Sequence, residues 1–179
     1  MYLPQSREDA IDQLLEARYH HHAAGQDDQA LAAHYAAVNQ LRDWGQYGRA
    51  AELCRETLTW LSPDSQEAAV TAGTLGILAQ LRGDYDTAES SYRQVLEVFT
   101  RLGDQAGTAR SYHQLAMLAQ LRGDYDTAEL LYRRALDIFE RIGDQAGTAS
   151  SYHQLAILAQ ARGDYDTAEP LYRRALDIS

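Results

Sequence analysis

The chain has 179 residues, 45% apolar and 23% charged, proportions ordinary for a folded protein and unlike those of a disordered one. Its 26 acidic residues against 16 basic ones give a formal net charge of −10. No basic stripe interrupts that excess, so nucleic acid is not expected as a partner. Every basic residue is arginine, which excludes a lysine-bearing phosphate loop and Schiff-base chemistry.

From the N-terminus, no basic and apolar leader opens the chain, and no run approaches the roughly 20 apolar residues that span a bilayer. A soluble cytoplasmic protein without a membrane partner is expected. Residues 17–24 and 28–44 carry helical patterns divided by Gly25 and predict a first helical hairpin. Within it, His20, His21 and His22 are consecutive. Successive helical residues point about 100° apart, so the three cannot converge on one ion, and no metal is assigned. Gly45, Tyr47 and Ala50 stand 38 residues before Gly83, Tyr85 and Ala88, so residues 31–61 read as a diverged helical unit. Cys54 is the one cysteine, which rules out an intramolecular disulfide and suits a reducing compartment. Pro63 and Asp64 are expected to end that unit's second helix and start the next.

Beyond this point the sequence repeats. Residues 104–139 and 144–179 differ at five positions only: Arg110/Ser150, Met117/Ile157, Leu121/Ala161, Leu130/Pro170 and Phe139/Ser179. A more drifted copy spans residues 69–102 and shares the string LRGDYDTAE from Leu81 to Glu89. A fixed period of this size is the mark of a solenoid, in which each unit buries its apolar face by stacking on the next.

Within one copy, Ala109, Tyr112, Leu115, Ala116 and Ala119 form one helical stripe. Tyr125, Ala128, Tyr132, Ala135, Phe139 and Ile142 form a second. Gly123 and Gly143 are placed to close helices in the left-handed conformation; Asp124 and Asp144 are placed to cap the helices that follow. Ala116 and Ala128 fall where a helix pair crosses, with Tyr112, Tyr125 and Tyr132 supplying bulk and keeping their hydroxyls at the rim. The reading is all-α with about nine helices in one continuous solenoid. Its expected divisions are an N-terminal region at 1–64 and repeats at 65–103, 104–143 and 144–179.

Tyr112, Leu115, Ala116, Gly123, Tyr125, Ala128, Tyr132 and Ala135, in that order and spacing, resemble a tetratricopeptide repeat. The unit departs from the family in carrying Glu140 where a proline usually closes the second helix, and in its length of 40 residues instead of 34. The extra residues should lengthen the second helix to about Ile142, as in the longer repeats of kinesin light chains. The resemblance implies a right-handed superhelix of antiparallel helix pairs whose concave groove binds a peptide or protein segment. The groove positions it implies are Gly73, Ile77 and Gln80, preceded by Val70; then Arg110, His113, Met117 and Gln120; then Ser150, His153, Ile157 and Gln160. In that set the glutamines offer amide donors and acceptors at a regular pitch, and Ile77, Met117 and Ile157 offer apolar contact. His113 and His153 form a ladder with a step of roughly 10 Å, too long to share a zinc ion.

The segments ARYHHHAAGQ and WGQYGRAAELCRETLTWL are similar to the helical region before the repeats of bacterial STAND-type signalling NTPases. That implies an alternative role as the sensing, autoinhibitory part of a larger enzyme. No nucleophile, metal or dinucleotide motif appears, so neither catalysis nor a cofactor is expected. The last repeat has no polar capping helix after it, which points to self-association through that end or to further repeats. Pro170 should sit near the first turn of the final helix, or else delay or bend it.

Overall fold

In the computed structural model, which describes residues 7–178, nine helices follow one another: α1 (Arg7–Ala23), α2 (Asp27–Asp43), α3 (Tyr47–Leu58), α4 (Gln66–Leu81), α5 (Tyr85–Leu102), α6 (Gln105–Leu121), α7 (Tyr125–Ile142), α8 (Gln145–Ala161) and α9 (Tyr165–Ile178). Each packs on the next, and the described residues contain no strand. The architecture is the all-α solenoid of helix pairs that the period implies. The second helix of the middle repeat ends at Ile142, the length expected of a 40-residue unit.

The turns rest on one two-residue device. Gly103, Gly123 and Gly143 take the left-handed conformation, with φ of 71°, 78° and 72°, which only glycine adopts freely. The aspartate that follows serves both helices. The Asp124 backbone N–H reaches back to the Ala119 carbonyl at 2.9 Å, while its carboxylate accepts from the Thr127 N–H at 3.1 Å and opens α7. Asp104 and Asp144 do the same, accepting from Gly107 and Gly147 at 2.9 Å each. Asp64 does not cap α4: that helix begins one residue later, its cap being Ser65, which accepts from Ala68 N–H at 3.0 Å. Asp64 is instead paired with Arg101.

One glycine in each of α4, α6 and α8 has an aromatic ring lying against it. A Cβ on Gly107 would stand 2.5 Å from the Phe99 ring, and one on Gly147 would stand 2.5 Å from Phe139. Gly76 meets Tyr92 in the same way, at 2.7 Å. Ala116 and Ala128 are fully buried together with Tyr132, as the crossing requires. Tyr132 corrects the expectation for its hydroxyl. The whole side chain is buried, and the O–H donates to Gln120 Oε1 at 3.0 Å instead of reaching water. Pro170 lies in the second turn of α9, not the first, yet that helix still begins at the residue equivalent to the start of α7. The position is exposed in both copies, at Leu130 and Pro170, so the proline ring has room on the solvent side.

The N-terminal helices are held differently. Arg18 of α1 is 3% exposed and donates through Nε and Nη2 to Thr57 Oγ1 of α3, at 3.2 and 2.9 Å. An arginine has no acceptor, so the threonine proton is free to go to His34 Nδ1 of α2, at 3.0 Å. The ring proton of His34 is thereby placed on Nε2, facing Cys54 Sγ at 3.9 Å. Arg18 also pairs with Glu56 at 3.4 Å and lies over the Trp60 ring at 4.0 Å, and Trp60 stacks on His22. One buried polar network thus joins α1, α2 and α3.

Candidate concave interaction face

The positions assigned to the groove lie on α4, α6 and α8, the first helices of the three successive pairs. Arg110, Ser150, His153 and Gln160 are exposed, whereas Gly73, Ile77, Gln80, His113, Met117, Gln120 and Ile157 are half-buried. Arg110, His113 and Ser150 come together around one cavity of about 250 Å³ between the second and third repeats. Ser150 and His153 line another of about 800 Å³ beside α9. Ile77 packs against the cluster around Tyr92 and Leu115, and Met117 against the cluster around Tyr132 and Leu155, so part of their apolar surface is used within the solenoid.

The glutamines are held by a contact that recurs in all three units. Tyr92, Tyr132 and Tyr172 donate their hydroxyls to Oε1 of Gln80, Gln120 and Gln160 at 3.1, 3.0 and 2.7 Å. One of the two lone pairs of each carbonyl oxygen is therefore taken. The amide Nε2 makes no hydrogen bond within the described residues, which leaves two N–H donors per glutamine. Each glutamine thus keeps both amide N–H donors and half of its acceptor capacity, so donors predominate. The signal was present in the sequence as a tyrosine 12 residues after each glutamine, repeated three times.

The histidines sit on the same tyrosines. His113 meets Tyr132 edge-on at 5.0 Å between ring centroids, and His153 meets Tyr172 at 5.5 Å. His113 Nδ1 is buried with no hydrogen-bond partner among the described residues, and burial lowers that histidine's pKa. In α1, His21 turns to Gln26 at 2.6 Å and His22 to Asp27 at 3.2 Å, so neighbouring histidines are engaged by different partners. The described residues contain no group of three or more histidine, cysteine or acidic side chains arranged to hold a metal ion. Cys54 is buried, and its thiol is pushed up to about 12, so it is not a nucleophile near neutral pH. Among the described residues no helix is long and apolar enough to cross a membrane.

The arginines that tie one repeat to the next escaped the sequence reading. Arg122, just past the end of α6, donates to Glu89 at 2.8 Å and Asp86 at 2.5 Å of α5. Arg162, just past α8, repeats this with Glu129 at 2.5 Å and Asp126 at 2.6 Å of α7. Glu140, where the proline was expected, accepts from the Tyr152 hydroxyl at 2.7 Å, a bond from α7 to α8 that also raises the tyrosine's pKa.

The same arrangement occurs in solved proteins. BtubC from P. vanneervenii superposes with a TM-score of 0.76 at 25% identity, covering 84% of this chain and 63% of its own. This chain thus spans less than two thirds of BtubC. A kinesin light chain of Podosopora anserina with nearly identical TPR-like repeats gives 0.73 at 19% identity, over 96% of this chain and 86% of that one. MamA gives 0.63 at 16% identity, over 96% and 92%. No curated protein matches. The tetratricopeptide repeat family model matches residues 67–141 and 107–179, together well over half of the sequence, and the chain belongs to the tetratricopeptide repeat family.

Proposed function

We infer that this chain, as a tetratricopeptide repeat protein, serves protein–protein interaction through an extended surface made by stacking. We propose that this chain is a non-catalytic module that takes an extended peptide segment along the face formed by α4, α6 and α8. The observation that supports the reading is the triplet of tyrosine-held glutamines, whose Nε2 groups form a regular row of donors. Such a row suits the carbonyl oxygens of a peptide backbone. Exposed Arg110 adds a site for an acidic side chain of the bound segment. In this reading α1–α3, of the N-terminal region 1–64, lie at one end of this face, where α3 packs on α4, and the repeats at 65–103, 104–143 and 144–179 each supply one glutamine. A lone buried thiol fits a cytoplasmic setting.

The test uses a peptide enriched from a random display library on the intact chain. Gln120→Ala with Gln160→Ala should weaken that peptide about tenfold or more, the loss of two or more hydrogen bonds, without lowering the unfolding midpoint by a comparable amount. Unchanged affinity would remove the glutamine row from the site. A second reading, a sensing region within a larger STAND-type NTPase, draws on the buried polar network of α1–α3, which the repeats lack. It predicts a phosphate-binding loop encoded upstream in the same reading frame, and a reading frame without one counts against it.

A further inference from the structure

Ala72 of α4 stands where the next two repeats carry a tyrosine, Tyr112 in α6 and Tyr152 in α8. In the second repeat that ring packs with Ile138 against Ala109, Ala135 and Phe139. The first repeat builds the same cluster from the matching residues, Ala69, Val95, Val98 and Phe99, with Ala72 where the ring would be. Val95 in place of Ala135 returns only part of that bulk, and Val98 in place of Ile138 removes more. Ser91 likewise replaces Leu131 of the second repeat. The outcome is a cavity of about 160 Å³, walled by Leu58, Pro63, Ala69, Ala72, Val95 and Val98.

Size and chemistry together specify what fits. An apolar cavity of about 150 Å³ holds a benzene-sized molecule, and one left empty costs stability in proportion to its volume. No charged side chain lines this one, so a charged ligand would lose its water without gaining a counter-charge. The polar groups that border it are half-buried Ser91 and exposed Gln94, whose side chains make no hydrogen bond within the described residues. The third repeat shows where the hydroxyl of a ring would lie. Arg174, the counterpart of Gln94, donates to the Tyr152 hydroxyl at 3.3 Å. The apolar end of such a ring thus points to Ala72 and its hydroxyl to Gln94, on the solvent side.

We propose that this cavity is a binding site for a small neutral phenol, whose ring takes the place of the missing tyrosine ring and whose hydroxyl meets Gln94. A free molecule suits it better than the tyrosine of a partner protein. A tyrosine entering from the exposed side would hold its backbone at Gln94 and drive its hydroxyl among the alanines, where it finds no hydrogen-bond partner. Leu58 belongs to α3 and Pro63 to the loop that follows it, so a bound ring joins the N-terminal helices to the first repeat. None of the groove positions on α4 lines the cavity, and the site is separate from the glutamine row.

The probe is p-cresol, the tyrosine side chain as a free molecule, titrated into the intact chain and followed by methyl NMR. Saturable shifts at Leu58, Val95 and Val98 are expected, with a Kd of about 1 mM or tighter. Gln94→Ala should weaken p-cresol about three- to tenfold, the loss of one hydrogen bond, and leave toluene unchanged. The anion p-hydroxybenzoate should bind at least about tenfold more weakly than p-cresol. Ala72→Tyr, the repeats' own residue, should abolish binding. Ser91→Leu, a smaller import at a half-buried position, should weaken it about tenfold with helical circular dichroism unchanged, which tests the site even where the tyrosine variant does not fold. Absence of saturation, or saturation that leaves those three residues' methyl groups unmoved, overturns the proposal. So does an affinity for p-cresol that neither Ser91→Leu nor Gln94→Ala changes, or an equal affinity for p-hydroxybenzoate. If N-acetylphenylalaninamide binds more tightly than p-cresol, the cavity is a seat for a partner's side chain and the proposal fails.

Discussion

The region α1–α3 and the repeats α4–α9 share a helix-turn-helix plan but stabilise it by opposite means. Left-handed glycines close helices in both regions, at Gly25 and Gly45 as at Gly123, but the repeats add devices that recur: an aspartate that caps, a tyrosine on a glutamine, an arginine across the seam. In α1–α3 the residues before α2 and α3 are Gln26 and Gln46, and neither makes a side-chain cap bond. Beside its apolar core, that region is joined by a buried polar network in which Arg18 and His34 meet at Thr57, with Glu56 and Cys54 as further partners. Recurring devices fail one at a time, whereas a closed network fails together.

The largest effect is expected at Thr57. Its counterpart 38 residues later is Val95, which packs in an apolar cluster. Thr57→Val imports the repeat's own residue, yet it takes the hydroxyl acceptor from Arg18, leaving it Glu56, and the donor from His34. A loss of about 2–4 kcal/mol is expected in urea unfolding. Thr57→Ser, which keeps the hydroxyl, should cost clearly less. Equal costs would mean that packing and not the network holds α1 to α3.

The pH dependence comes next in size. Burial, reinforced by the charge of Arg18, lowers the His34 pKa from 6.5 to about 4. The unfolded chain therefore binds a proton in that interval and the folded chain does not. The stabilisation is complete above 6.5 and is lost as pH falls toward 4, by up to about 3 kcal/mol. His113 in the second repeat acts with the same sign, also through burial. The repeat caps Asp84, Asp124 and Asp164 act in a lower window. Their pKa values are held down by hydrogen bonds from Thr87, Thr127 and Thr167, so their contribution is present above the ordinary carboxylate value and is lost below it. Hydrogen exchange followed from pH 7 to pH 5 should show amides of α1–α3 losing protection before those of α9. Simultaneous loss would contradict the division.

The smallest effect tests the repeats from within. Gly147→Ala should destabilise, because an overpacking cost of about 1–3 kcal/mol against the buried Phe139 ring exceeds the ~1 kcal/mol that alanine gains in a helix. Gly73→Ala should stabilise by up to about 1 kcal/mol, since its Cβ meets Val95 at an easy 3.9 Å. Thermal unfolding that moves both variants in one direction would show that helix propensity, not ring contact, decides at these positions.

Much of the fold was legible because its signals are local. Gly123 and Asp124 end one helix and begin another through backbone groups a few residues away, and the helical spacing of Ala116, Tyr132 and Ala128 marks a buried face. The shift from Asp64 to Ser65 at the start of α4 shows the limit even there, since two adjacent residues of capping type cannot be ranked without knowing that Arg101 draws one of them away. The candidate face was less legible than the fold. Gln80, Gln120 and Gln160 fall on α4, α6 and α8, but the bond that each carbonyl oxygen accepts depends on a tyrosine of the neighbouring helix.

The amino-acid sequence by itself determined that the chain is a stack of helical pairs, since period, glycine placement and apolar spacing act within one or two turns of backbone. Tertiary structure decided which polar atoms remain for a partner. Arg18 meets Thr57 across 39 residues, and Arg162 meets Asp126 across 36. Those meetings depend on how closely whole helices approach and how far side chains reach, and no local pattern encodes either distance.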